Sequence, residues 1–260
     1  MPEPAREPRL SRVPILTYHS LDESGSVVSV RPSTFRRHME VLRERGFRGF
    51  ALGDLLEAWR GERTLESRPV VLTFDDGLRN TAAEAAPVLG ALRFRATVFV
   101  VAGCCGRTND WPGQLRGIPR LPLLTLPELA ALARDGFEVG AHGLTHSPLD
   151  ALPPAEGEAE VRDSRRILED ALGREVPVFA YPYGRADART RACVRTHYRG
   201  ACSVELGTAR PDQDRHWLPR IDAYYLRHPA LFALLGTDLG RAYLGLRAGG
   251  RFLRQRRPRS

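Results

Sequence analysis

Short apolar runs that alternate with helical stretches constrain this chain more than any other feature. Residues 69–74 (PVVLTF) and 96–101 (ATVFVV) are continuous apolar segments, as expected of strands covered on both faces. Residues 13–18, 137–141, 176–181 and 200–204 read as further short strands. Helical patterns fall between them at 33–45, 52–60, 82–92, 126–134, 155–172 and 189–196. The first has a Ser-Thr start, apolar residues at 35, 39 and 42, and Gly46 as its stop. Residues 103–124, rich in glycine and proline, read as a long loop. Such alternation predicts β/α units around a parallel sheet. At 260 residues the chain has the size of a single β/α barrel.

Composition excludes several classes. With 42% hydrophobic and 27% charged residues the chain can bury an ordinary core, which argues against a disulfide scaffold or wholesale disorder. No uncharged apolar stretch reaches the ~18 residues of a membrane span. The first residues, MPEPAREPRLSR, lack the apolar segment of a signal peptide, so a cytoplasmic location is expected. The net charge of +8 is unevenly placed: seven arginines and no acid lie in 241–260, leaving +1 for the rest. A nearly neutral body gives no reason to expect a nucleic-acid partner. The arginine-rich tail makes peripheral membrane contact an expectation. The four cysteines form no C-x-x-C pair and read as buried thiols. The expected organisation is a disordered arm at 1–12, a domain at 13–240 and the tail at 241–260.

In parallel α/β folds, active sites form where the strands end. Collecting the residues at those ends gives His19, then Asp75-Asp76-Gly77, then His142 and His146, then Tyr181-Pro182-Tyr183-Gly184. Asp76, His142 and His146 together suit a divalent metal, most naturally zinc, with nickel, cobalt, iron or manganese as alternatives. Of two adjacent aspartates, one can bind the metal while the other takes a proton from water. Read by itself, Asp-Gly is also a common turn signal, and two loop histidines can simply be solvated.

TFDDG (Thr73 to Gly77), HGLTH (His142 to His146) and FAYPYG (Phe179 to Gly184) resemble three motifs of the polysaccharide deacetylases, carbohydrate esterase family four. The resemblance implies a distorted β/α barrel of about seven parallel strands that removes N-acetyl groups from an N-acetylhexosamine glycan or glycan precursor. It also implies roles: Asp75 as general base, Asp76 with His142 and His146 as metal ligands, and the Tyr183 backbone N–H as oxyanion donor. The Y-H pair at Tyr18-His19 resembles the permuted arrangement of poly-N-acetylglucosamine-type deacetylases, which makes His19 the general acid. His228, in L-R-H, and His216 are the competing acids.

Three departures from the family pattern stand out. Gly143 replaces a hydroxyl residue, a D-x-x-D-W motif is absent, and Ala180 stands where an arginine normally pairs with the catalytic aspartate. Tyr181, Pro182, Trp111 and Arg220 are expected to line the substrate, with core packing the alternative for Trp111 and a structural ion pair the alternative for Arg220. Other amides, such as a formamide on a lipid-linked sugar or a cyclic ureide, are the alternative substrates. A non-catalytic carbohydrate-binding protein is the alternative function.

Overall fold

The computed structural model describes residues 10–65, 68–114 and 116–255, with side chains described as far as 249. In chain order the elements are β1 (Ile15–Tyr18), β2 (Ser20–Leu21), β3 (Ser29–Val30), α1 (Pro32–Glu44), β4 (Phe47–Phe50) and α2 (Leu52–Trp59). Then come β5 (Arg68–Phe74), α3 (Ala86–Leu92), β6 (Thr97–Val100), α4 (Leu126–Arg134), β7 (Glu138–Ala141) and α5 (Pro154–Leu172). The chain continues through β8 (Val178–Ala180), α6 (Ala188–His197), β9 (Gly200–Leu206), β10 (Leu218–Asp222), α7 (Pro229–Phe232) and α8 (Asp238–Gln255). Seven strands pair side by side in the order β1, β10, β9, β8, β7, β6, β5, and β1 closes the ring on β5. Every pairing in the ring is parallel, so the fold is a closed, distorted β/α barrel.

The barrel sorts its residues by parity, because successive strand side chains point to opposite faces. Along β5, Val70, Leu72 and Phe74 join the core beneath the helices, whereas Val71 joins a second cluster with Ile15, Phe99, Val178, Ala180, Cys202 and Leu218 inside the barrel. Continuing the inward phase from Val71 through Thr73 leads to Asp75. The same count carries Ile15 through Thr17 to His19, and Leu218 to Arg220 and Asp222.

Three features depart from the sequence expectation. β4 was not anticipated, because FRGF is short and carries a charge, yet it pairs along the first half of β5 before β6 takes over that edge. The helix expected at 82–92 opens as a π-helical turn, Thr81–Ala85, before α3. The boundary expected at 240 falls inside α8, whose Leu244 is 7% exposed and packs in the main core. The start of the arginine-rich segment is therefore a packed helix. Residues 1–9 of the expected arm lie outside the described residues; within 10–12, the Leu10 carbonyl accepts a hydrogen bond from the Trp59 indole. The cysteines are all free, and only Cys202 is buried, the other three being half-buried.

Candidate active site

Strict alternation would turn Asp76 away from the barrel, since Asp75 already holds the inward phase. The backbone breaks the alternation there: Asp76 has φ 74°. His146 (φ 62°) and Tyr183 (φ 56°) adopt the same left-handed region, and Arg93 is the only other non-glycine residue with positive φ among those described. Each such residue costs on the order of 1–3 kcal/mol and persists only where its surroundings hold it. Three of the four meet at the mouth of one barrel.

His142 follows β7 in the inward phase, and its Nδ1–H donates to the Ala180 carbonyl at 2.8 Å. That bond leaves Nε2 as the free lone pair. His142 Nε2 lies 3.6 Å and His146 Nε2 3.4 Å from Asp76 Oδ1. The donor atoms of Asp76, His142 and His146 all lie within 4.8 Å of one another, and all three residues are buried. Burial pushes the His142 imidazole down to about 4, so it is neutral at pH 7. Burial alone would raise the Asp76 carboxyl, but the His146 imidazole and the other neighbouring histidines outweigh it and hold it low. An ionised carboxylate with two imidazole nitrogens fits a divalent cation of the zinc type.

Asp75 sits beside this triad, 2% exposed. Arg220 reaches it from β10 in a bidentate pair, with Nη1 2.7 Å from Oδ1 and Nη2 2.7 Å from Oδ2. Burial pushes the Asp75 carboxyl up, and the Arg220 guanidinium more than reverses that, so it stays ionised. His19 Nε2 lies 3.8 Å from Asp75 Oδ2 and is partly exposed. A cavity of about 350 Å³ opens on this side, lined by Thr17, His19, Asp75, Arg220, Asp222 and Tyr224 among others.

Several expected roles need correction. Arg220 lines the cavity but is 4% exposed, and its guanidinium is committed to Asp75, the pairing that Ala180 cannot make. The register between β9 and β10 shifts between Leu218 and Arg220, a bulge of the kind that re-aims side chains near active sites. Tyr181 is on the outward phase, fully buried in the main core, and its hydroxyl donates to the His216 carbonyl. It cannot touch a ligand in the mouth. Pro182 is buried as well, in a 3-10 turn (Pro182–Gly184) with Tyr183. Trp111 is 6% exposed and stacks on the His146 ring, centroids 4.2 Å apart, so that face is unavailable to a sugar. Tyr183 packs edge-on against His146, at 4.5 Å.

Of the competing histidines, His228 is exposed and caps α7 through the Ala230 N–H, while His216 is bonded to the Tyr198 carbonyl. Neither lines the cavity beside Asp75. Gly143 has φ 77°, and a Cβ there would lie 2.9 Å from Glu160 Oε2. Glu160, from α5, accepts the Leu144 and Thr145 N–H groups and the Thr145 hydroxyl, tying down the turn that carries His146. Sequence reasoning placed Asp222 on a polar rim after its strand, and the cavity lining includes it; it missed Glu160 and Tyr224, for which no local pattern offered a signal.

The architecture thus defines a closed parallel β/α barrel with a candidate metal triad and a buried carboxylate at its C-terminal mouth. The polysaccharide deacetylase family profile matches residues 62–199, more than half of the sequence, and the chain belongs to that family. It is 26% identical over 212 residues to YxkH of Bacillus subtilis (strain 168), whose name as a polysaccharide deacetylase is provisional; the match covers 81% of this chain and 71% of that protein. Over 84 residues it is 32% identical to the poly-beta-1,6-N-acetyl-D-glucosamine N-deacetylase of Escherichia coli (strain K12), covering 31% of this chain and 12% of that protein. Among solved structures, IcaB from Ammonifex degensii superposes with TM-score 0.72 at 23% identity, covering 85% of this chain and 94% of its own. The Streptococcus pyogenes deacetylase PplD, in complex with acetate, does so with TM-score 0.71 at 23% identity, covering 81% and 92%. Both share the fold.

Proposed function

We propose that this chain is a metal-dependent hydrolase that removes N-acetyl groups from an N-acetylhexosamine-containing glycan or glycan precursor. One observation carries the proposal: the Asp76, His142 and His146 donor set lies beside a second carboxylate, Asp75, that Arg220 keeps ionised. Asp76, His142 and His146 would hold one divalent ion, zinc by donor chemistry, which polarises an acetamide carbonyl and acidifies the attacking water. Asp75 accepts the proton of the nucleophile, and the Arg220 fork fixes its orientation for that transfer. The Tyr183 backbone N–H bonds the oxyanion. His19, on the cavity side of Asp75, returns a proton to the departing amine, which cannot leave as an amide anion.

Acetate release from N-acetylglucosamine oligomers, with nucleotide- and lipid-linked sugars in parallel, tests the reading. Asp75→Asn keeps the side-chain volume and removes the base, so turnover should fall about 100-fold or more while metal is retained. Near-wild-type turnover in that variant would remove Asp75 from the reaction. Release of formate or ureide products with no acetate from any substrate would reassign the substrate class.

A further inference from the structure

The end of the barrel away from the catalytic mouth carries a surface that the proposed reaction does not use. A cavity of about 650 Å³ opens where the strands begin, beside Pro14, Phe47 and Pro69. Arg12, Arg68 and Arg241 line it, and no carboxylate does. Among the described residues Arg12 and Arg68 have no acidic partner, while Arg241 pairs with Asp238. A second cavity of about 300 Å³ adjoins it, sharing Arg12 and Arg241 and adding Arg210, which pairs with Asp212, together with Glu205. α8 runs along both.

α8 buries Gly240 and Leu244 toward the barrel and turns the opposite face to solvent. Leu239 is 64% and Leu246 80% exposed. With Ala242 and Gly249, also exposed, they repeat at i, i+3, i+7 and i+10, so they form one uncharged stripe along the helix. Arg241 and Arg247 flank it. The sequence past the stripe adds five more arginines and no acid before residue 260. An exposed leucine stripe flanked by Arg241 and Arg247, with a single acid, Asp238, at its first turn and paired with Arg241, is the pattern of a helix lying in the interface of an anionic bilayer.

We propose that this end of the barrel docks on an anionic phospholipid surface, with the Leu239–Leu246 stripe of α8 entering the headgroup boundary and Arg12, Arg68 and Arg241 receiving lipid phosphates. Charge complementarity selects this occupant: a body of net charge +1 has its excess of cations gathered on this helix and its continuation. The inference stands independently of the deacetylase reading, since none of these residues belongs to the mouth.

Vesicle co-sedimentation of the full chain tests it, comparing phosphatidylcholine alone with phosphatidylcholine containing phosphatidylglycerol. Binding should require the anionic lipid and weaken as salt rises. A Leu239→Ser/Leu246→Ser variant and, separately, an Arg12→Ser/Arg68→Ser variant should each weaken vesicle binding about tenfold or more. Both should keep the wild-type circular dichroism spectrum and acetate release from a soluble oligosaccharide. Equal binding to neutral vesicles overturns the proposal. So does unchanged binding in both variants, which would leave the attachment to the terminal arginines alone. Absence of vesicle binding together with a dimer in ultracentrifugation that Leu239→Ser/Leu246→Ser dissolves would give the stripe to a second copy of the chain.

Discussion

The two halves of the catalytic mouth are built by different means. On the metal side, Asp76, His146 and Tyr183 sit in left-handed backbone, and the rings of Trp111 and Tyr183 both pack against His146. Glu160 clamps the turn from below. Almost nothing here is open to solvent, and local strain is accepted to converge three donors on one point. On the proton-transfer side, Asp75, His19 and Arg220 arrive by plain strand alternation from β5, β1 and β10. No left-handed residue is needed, and the 350 Å³ cavity lies against them. A cation site needs fixed geometry, whereas the groups that exchange protons with substrate need access. The division also explains why one aspartate of an adjacent pair carries strain and the other carries an arginine.

That contrast can be broken at three points, given in order of expected effect. His146→Ala removes a donor from the strained side: activity should fall below about 1% and metal retention should collapse, with the fold kept by circular dichroism. Elemental analysis showing full occupancy in that variant would dissolve the metal side altogether. His19→Ala belongs to the open side. It should slow amide hydrolysis about 10- to 100-fold, leave metal content untouched, and slow activated aryl esters much less, because their leaving groups need no proton. His228→Ala should change neither substrate; if it instead shows the leaving-group dependence, the open side has been assigned to the wrong histidine. Gly143→Ser restores the hydroxyl usual in the family at a position with φ 77° and with Glu160 Oε2 in the way of its Cβ. A stability loss of about 1–2 kcal/mol by denaturant titration is expected, with a modest fall in activity from a displaced His146 turn. A stabilised or unchanged variant would show that the Glu160 clamp is not what excludes the side chain.

Breaking the Asp75–Arg220 pair bears on the open side and on the stability of the barrel at once. A buried ion pair that loses one partner destabilises a protein by about 3–5 kcal/mol. The pair also shows what could be read before the structure. Several apolar runs are followed by polar residues, and collecting those brought Asp75, Asp76, His142, His146 and His19 to one mouth. The missing arginine at Ala180 was equally visible. Its replacement was not, because Arg220 lies 145 residues from Asp75 in sequence and meets it only when β10 and β1 close the ring beside β5.

What the sequence by itself determined was therefore everything set by local pattern: the β/α alternation, the strand ends, and the inward parity of Asp75 and His19. Tertiary structure decided what local pattern cannot encode. It turned Tyr181 outward into the core, laid Trp111 over His146, folded the start of the arginine-rich segment into α8, and brought Arg220 to Asp75. The reason is physical. Periodicity fixes which face a side chain occupies, but a partner across the barrel exists only once closure has set the register, and the charge left over by one strand is answered by another that the chain reaches last.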